Sequence, residues 1–139
     1  MEQKYRHELK YPVSAGQIAL LQARLSGLIP RDSHVGENGI YTISSLYFDD
    51  YYDRCFYENE NGTDPREKYR IRIYNHSPSR ITLERKRKER GKTLKLSCPL
   101  TQEQTRMLME GRPLPDIEAQ PPLLRELTGE MLSRGMHPV

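Results

Sequence analysis

The sequence predicts an α+β fold in which helices accompany an antiparallel β-sheet. Two observations support this prediction. Several short segments are rich in β-branched and aromatic residues. Within them, apolar and polar residues alternate at the two-residue period of strands. Other segments place apolar residues at helical spacing and begin with a capping residue or a proline. A chain of 139 residues is long enough for one domain with a moderate core.

The elements follow from these periods and from the turn residues between them. Five strands are expected, over residues 5–11, 40–48, 66–74, 80–90 and 91–98. Three helices are expected, over residues 15–28, 101–110 and 121–135. Ser14 is a candidate N-cap, and Thr101 with Gln104 resembles a capping box. The acidic segment 49–65 is expected to be an excursion with a short helix.

Charge is unevenly distributed along the chain, although the formal net charge is only +3. Residues 66–95 carry twelve Lys and Arg against three acids, whereas residues 35–65 carry seven acids against Arg54 alone. A basic block of this kind favours a polyanionic partner. No apolar run approaches the roughly 20 residues of a membrane span, and no signal-peptide pattern follows Met1. Cys55 and Cys98 have no metal-ligand spacing and are interpreted as reduced thiols of a cytoplasmic protein.

The stretch "REKYRIRIY", residues 66–74, concentrates cations on one face of a strand. The two-residue period places Arg66, Lys68, Arg70 and Arg72 on one side, and Tyr69, Ile71 and Ile73 on the other. Such a row of like charges is tolerable where a multivalent anion lies among the side chains. Arginine suits phosphate because its planar fork forms bidentate hydrogen bonds.

The neighbouring strands repeat this pattern. Lys86 and Lys88 share a face with Glu84 on the strand 80–90, and Arg6 and Lys10 flank Glu8 on the first strand. Glu84 can brace the cations or help to hold a divalent metal. The alternative interpretation, a solvated basic face, fits either strand alone but not three strands together. An RNA-binding sheet would place aromatics among the cations, so nucleic acid is the weaker interpretation.

Five motifs, taken in order, resemble the VTC (vacuolar transporter chaperone) domain of the triphosphate tunnel metalloenzymes, which are related to the CYTH group. They are "RHELKY" at 6–11, "SLYFDD" at 45–50, "REKYRIRIY" at 66–74, "ITLERKRK" at 81–88 and "GKTLKLS" at 91–97. The resemblance implies an antiparallel β-barrel of CYTH type whose tunnel is lined by basic residues. It also implies ATP-dependent polyphosphate synthesis assisted by manganese or magnesium. The alternatives are a non-catalytic polyphosphate- or nucleotide-binding module and a triphosphate hydrolase.

The resemblance also implies roles for individual residues. Arg70, Arg72 and Lys86 would grip the triphosphate as catalytic residues, and Glu84 would organise them. Further phosphate contacts are expected from Lys10, Arg6, Lys68, Lys88 and Lys95, and a metal is expected at Glu8 and Glu84. Tyr47 and Phe48 are expected to pack, and Asp49 to act as a turn or brace.

A complete tunnel needs about eight strands, and five are expected here. Residues 1–139 are therefore expected to be an incomplete polyphosphate polymerase-like domain, either a fragment or a natural half-domain, with a further strand beginning at "SRGMHPV". An open sheet edge favours pairing with a second copy, so a homodimer is expected.

Overall fold

The computed structural model describes residues 4–139. These residues form two compact units, residues 4–7 with Ile43–Val139, and Glu8–Thr42. The strands are β1 (Ile43–Asp49), β2 (Arg66–Tyr74), β3 (Ile81–Glu89), β4 (Lys92–Pro99) and β5 (His137–Pro138). The helices are α1 (Ala15–Leu25), α2 (Arg54–Glu60), α3 (Gln102–Met109) and α4 (Pro122–Arg134), with a short 3-10 helix at Ile117–Ala119.

The strands of the larger unit form one antiparallel sheet in the order β4-β3-β2-β1-β5. Strands β3 and β4 are joined by a two-residue turn in which Arg90 and Gly91 both have positive φ, 50° and 71°. Such a turn matches the right-handed twist of paired strands, and glycine at its second position adopts this conformation without strain. The predicted α+β class is confirmed. Within residues 4–139 the sheet is open, and the expected closed tunnel is not found.

One predicted strand is wrong. Between residues 5 and 11 the only β-pairing is an isolated bridge from Arg6 to Thr93 of β4. A strand needs a partner along its length, and alternation alone does not supply one. The apolar residues of this segment, Leu9 and Tyr11, are about three-quarters exposed, at 75% and 74%. The fifth strand is instead β5, which begins where a further strand was expected.

The core of the larger unit lies between one face of the sheet and the helices that follow it. Phe48, Ile71 and Leu83 of the sheet join Leu108 of α3 and Leu124 of α4 in one buried cluster. Ile71 and Leu83 have odd positions on β2 and β3, as the two-residue period predicted. The even positions therefore point to the opposite face.

The capping signals in the sequence are confirmed in both units. The hydroxyl of Ser14 accepts from the backbone N–H of Gln17, whose side chain accepts from the N–H of Ser14. Thr101 and Gln104 make the same reciprocal pair at the start of α3. Helix α1 nevertheless has no buried residue among those that the structure describes. Across residues 4–139, no helix combines the length and the apolar character needed to cross a membrane.

Candidate functional site

The basic side chains predicted to share a face do so because of the strand register. Arg66 lies opposite Lys88, and Lys68 lies opposite Lys86, which in turn lies opposite Lys95 of β4. Residues directly opposite one another on antiparallel strands project to the same side of the sheet. We call this surface the cationic face: Arg66, Lys68, Arg70, Arg72, Lys86, Lys88 and Lys95, together with Glu84.

Glu84 lies at the centre of the cationic face and is almost fully buried, at 2% exposure. Its Oε2 accepts from Arg70 Nε at 2.8 Å and lies 3.7 Å from Arg72 Nε, while its Oε1 accepts from Lys95 Nζ at 3.5 Å. Burial raises the pKa of Glu84, but the hydrogen bond and charge of Arg70, with the charges of Lys95 and Arg72, hold it below its usual value of 4.5. One ionised carboxylate therefore braces cations from β2 and β4.

Tyr47 also belongs to this surface, although the sequence indicated only a packing residue. The register places Tyr47 opposite Arg70, and Arg70 Nη1 donates to Tyr47 Oη at 3.2 Å. Lys68 Nζ lies 5.2 Å from the centre of the Tyr47 ring, within the range of a cation–π contact. The signal that could have revealed this role is the pairing of β1 with β2, which cannot be read from β1 alone.

Asp49 acts as a brace, as expected. Its carboxylate accepts three backbone N–H groups, from Asp50 at 2.8 Å, Cys55 at 2.9 Å and Phe56 at 3.0 Å. Burial raises the pKa of Asp49, but these hydrogen bonds lower it below its usual value of 3.8. Asp53, the residue before α2, makes no capping bond, so Asp49 satisfies the second and third N–H groups of that helix and Asp50 accepts the first, that of Arg54.

The odd-numbered basic residues of β3 lie on the other side of the sheet. Arg85 pairs with Glu126 of α4, and Arg87 pairs with Glu67 and Glu89. Each has an acidic partner and faces the helices or the rim of the sheet. The odd-numbered basic residues of β3 therefore lie beside acidic partners on one side of the sheet, and its even-numbered ones lie on the same side as Glu84.

Three predicted site residues come from the N-terminal segment. Arg6 pairs with Thr93, so the register places it beside the cationic face, where its side chain is exposed. Glu8 and Lys10 belong to the other unit and lie outside any strand, so their contribution to the site stays a prediction.

The described residues do not form a metal site by themselves. Both carboxylate oxygens of Glu84 are engaged by cationic side chains, which compete with a metal for its lone pairs. Residues 4–139 contain no cluster of three or more His, Cys, Asp or Glu side chains suited to holding a metal. The expected metal at Glu8 and Glu84 stays a prediction.

The geometry defines a sheet that presents a dense, braced array of guanidinium and ammonium groups, which favours a multivalent anion. The sequence model of the VTC domain family matches residues 5–139. The chain therefore belongs to the VTC domain family, as its motifs indicated. No curated protein sequence matches the chain at a significant level.

Proposed function

We propose that the cationic face binds triphosphate and polyphosphate, and that the domain is a polyphosphate polymerase-like phosphotransferase that uses ATP. Membership of the VTC domain family supports a polyphosphate-related function. The observation that carries the proposal is the arrangement of seven cations on one face of the sheet, three of which lie within 4.0 Å of a single buried carboxylate. An ordinary solvent face mixes charges of both signs more evenly.

Phosphoryl transfer needs positioning and charge neutralisation more than a protein nucleophile. In the proposal, Arg70 and Arg72 neutralise the triphosphate from β2, and Lys86 does so from β3. Lys68, Lys88, Lys95 and Arg6 extend the same surface along which a phosphate chain would lie. Glu8 and Glu84 are the residues that would hold manganese or magnesium, which would supply further neutralisation of the phosphate charge; Glu84 is already engaged by cations.

The open sheet favours a second candidate function, a binding module without turnover. Phosphoryl transfer gains from a site that excludes water, and a closed tunnel would provide one. Within residues 4–139 the cationic face lies on a sheet whose two edge strands, β4 and β5, do not pair with each other. Binding of a polyanion requires no such enclosure, because paired charges and hydrogen bonds act on an open surface too.

One experiment separates these candidates from each other and from hydrolysis. The protein is titrated with tripolyphosphate in a calorimeter and is separately incubated with ATP, Mn²⁺ or Mg²⁺ and a short polyphosphate primer. Chain elongation supports the polymerase, and released phosphate without elongation supports the hydrolase. Binding without either product supports the module. Absence of tripolyphosphate binding contradicts the proposal as a whole.

Two accompanying proposals concern the oligomeric state and the cellular location of the protein. Among the described residues, only Arg6 pairs with the outer edge of β4, so this edge can accept another strand. A homodimer through an open edge is proposed, and light scattering that shows only monomer at high concentration contradicts it. A cytoplasmic location is proposed from the two reduced cysteines, Cys55 and Cys98.

A further inference from the structure

Arg70 is held from both neighbouring strands. Its Nε donates to Glu84 Oε2 at 2.8 Å on β3, and its Nη1 donates to Tyr47 Oη at 3.2 Å on β1. The guanidinium is therefore fixed on two edges before any ligand arrives. Its position in turn fixes the phenol oxygen of Tyr47, which accepts the second of these bonds.

The hydroxyl hydrogen of Tyr47 has no acceptor among residues 4–139. A phenol can donate one hydrogen bond and accept others, and here only its acceptor capacity is used. A hydroxyl that accepts from a cation is polarised and becomes a better donor. Tyr47 is only partly buried, so its hydrogen can reach a ligand on the cationic face.

The charged groups around the phenol limit which atoms can accept its hydrogen. Lys68 Nζ lies 5.2 Å and Arg70 Cζ 6.0 Å from the centre of the Tyr47 ring. These groups are donors without acceptor capacity, so they cannot receive the phenol hydrogen. They do attract anions. An anionic oxygen bound between Lys68 and Arg70 would meet the O–H of Tyr47 as well as the two cations.

We propose that Tyr47 is a ligand-binding residue of the cationic face, donating its phenol hydrogen to a phosphate oxygen that Arg70 and Lys68 also bind. This inference rests on the proposed function, because it requires a phosphate ligand on this face. It adds a neutral donor to a site that the sequence describes only by its charges. It also gives the tyrosine of the "SLYFDD" motif a role in binding rather than in packing.

The matched pair of variants is Tyr47→Phe and Tyr69→Phe. Both remove one phenol oxygen from neighbouring strands, but Tyr69 is buried on the opposite, helix-facing side, at 3% exposure. Tyr47→Phe keeps the ring under Lys68. Tripolyphosphate affinity is measured by calorimetry at neutral pH, and thermal unfolding without ligand is measured alongside.

We expect Tyr47→Phe to weaken tripolyphosphate binding about tenfold, which is near the lower end of the range for a hydrogen bond to a charged group. Tyr69→Phe should bind as the wild type does, even where it unfolds at a lower temperature. An affinity of Tyr47→Phe within twofold of the wild type, or an equal loss in Tyr69→Phe, overturns the inference. A wild-type protein that binds no tripolyphosphate overturns the proposed function instead, so the two failures are distinguishable.

Discussion

Arg70 and Glu84 lie directly opposite each other at the centre of the sheet and form an ion pair from which water is largely excluded. The distance from Arg70 Nε to Glu84 Oε2 is 2.8 Å, and the two side chains are 10% and 3% exposed. Neither charge would be tolerated there alone, because desolvation of an isolated charge is costly. The pair therefore links the stability of the fold to the geometry of the cationic face.

Replacing Glu84 by Gln should lower the free energy of unfolding by about 3 kcal/mol. The amide keeps one hydrogen bond from Arg70 but leaves that guanidinium without a counter-charge, and it presents a donor to Lys95 or Arg72. Urea unfolding at neutral pH measures the loss. The control is Glu126→Gln, because Glu126 pairs with Arg85 with a side chain that is 44% exposed. Glu126→Gln should lower the free energy of unfolding by less than about 1 kcal/mol. Equal losses in the two variants would mean that the buried Arg70–Glu84 pair stabilises the fold no more than an exposed pair does.

Acid should destabilise the protein through the same carboxylate. The pKa of Glu84 in the folded state lies below its usual value of 4.5, so its ionised form stabilises the fold above that pH. Stability is lost as the pH falls through the lowered pKa and Glu84 takes up a proton. Urea midpoints recorded from neutral pH down to about pH 3 should therefore fall more steeply for the wild type than for Glu84→Gln. Parallel profiles would contradict this prediction; a residual slope is expected from Asp49, whose pKa is also lowered.

The cationic face could be predicted from the sequence because the period of a strand is two residues. Once "REKYRIRIY" is a strand, Arg70 and Arg72 must share a face, and Ile71 must lie on the other. The pairing of this strand with residues 81–89 follows from the short turn between them. The register of that pairing, which sets Glu84 opposite Arg70, comes from the structure.

The remaining features depend on contacts that no local pattern records. Tyr47 joins the site only through the register between β1 and β2, and an alternating segment alone does not specify its partner. The segment 5–11 has the alternation of a strand, yet only Arg6 finds a neighbouring strand. Local periodicity predicts on which face of a strand a residue lies. The partner strand depends instead on packing between residues that are far apart in the sequence.

Arg72→Ala should weaken tripolyphosphate binding by roughly 1.5–3 kcal/mol, the range for hydrogen bonds to charged groups. Arg72 tests binding more cleanly than Arg70 does, because fewer contacts within the protein are lost with it. Its Nε has no hydrogen-bond partner among residues 4–139 and lies 3.7 Å from Glu84 Oε2. Its removal should therefore cost little stability.

The control for this experiment is Arg87→Ala on the opposite side of β3, where Glu67 and Glu89 already balance the charge. Calorimetric titration of both variants under the same salt conditions makes the comparison. A similar loss in both would indicate attraction by net charge alone, with no defined binding face.

Alkaline pH should weaken tripolyphosphate binding through Tyr47. Burial raises the pKa of Tyr47, but the hydrogen bond from Arg70 and the charges of Arg70, Lys68 and Arg72 lower it below the usual 10.0. As the pH rises through that lowered pKa, the phenol loses the hydrogen it would donate and gains a negative charge that repels phosphate. The affinity advantage of the wild type over Tyr47→Phe should shrink steadily as the pH approaches 10.0.

The comparison of the wild type with Tyr47→Phe isolates the effect of the phenol hydroxyl, because every other charged group near it is present in both. The charged groups that act on Tyr47 are Arg70, Lys68 and Arg72 of β2. Tyr69 does not contribute to the difference, since burial, followed by the charges of Glu67 and Glu126, raises its pKa to about 12. Calorimetric titrations at several pH values from neutral upward provide the measurement. A constant ratio of the two affinities over that range would show that the Tyr47 hydroxyl does not donate to the ligand.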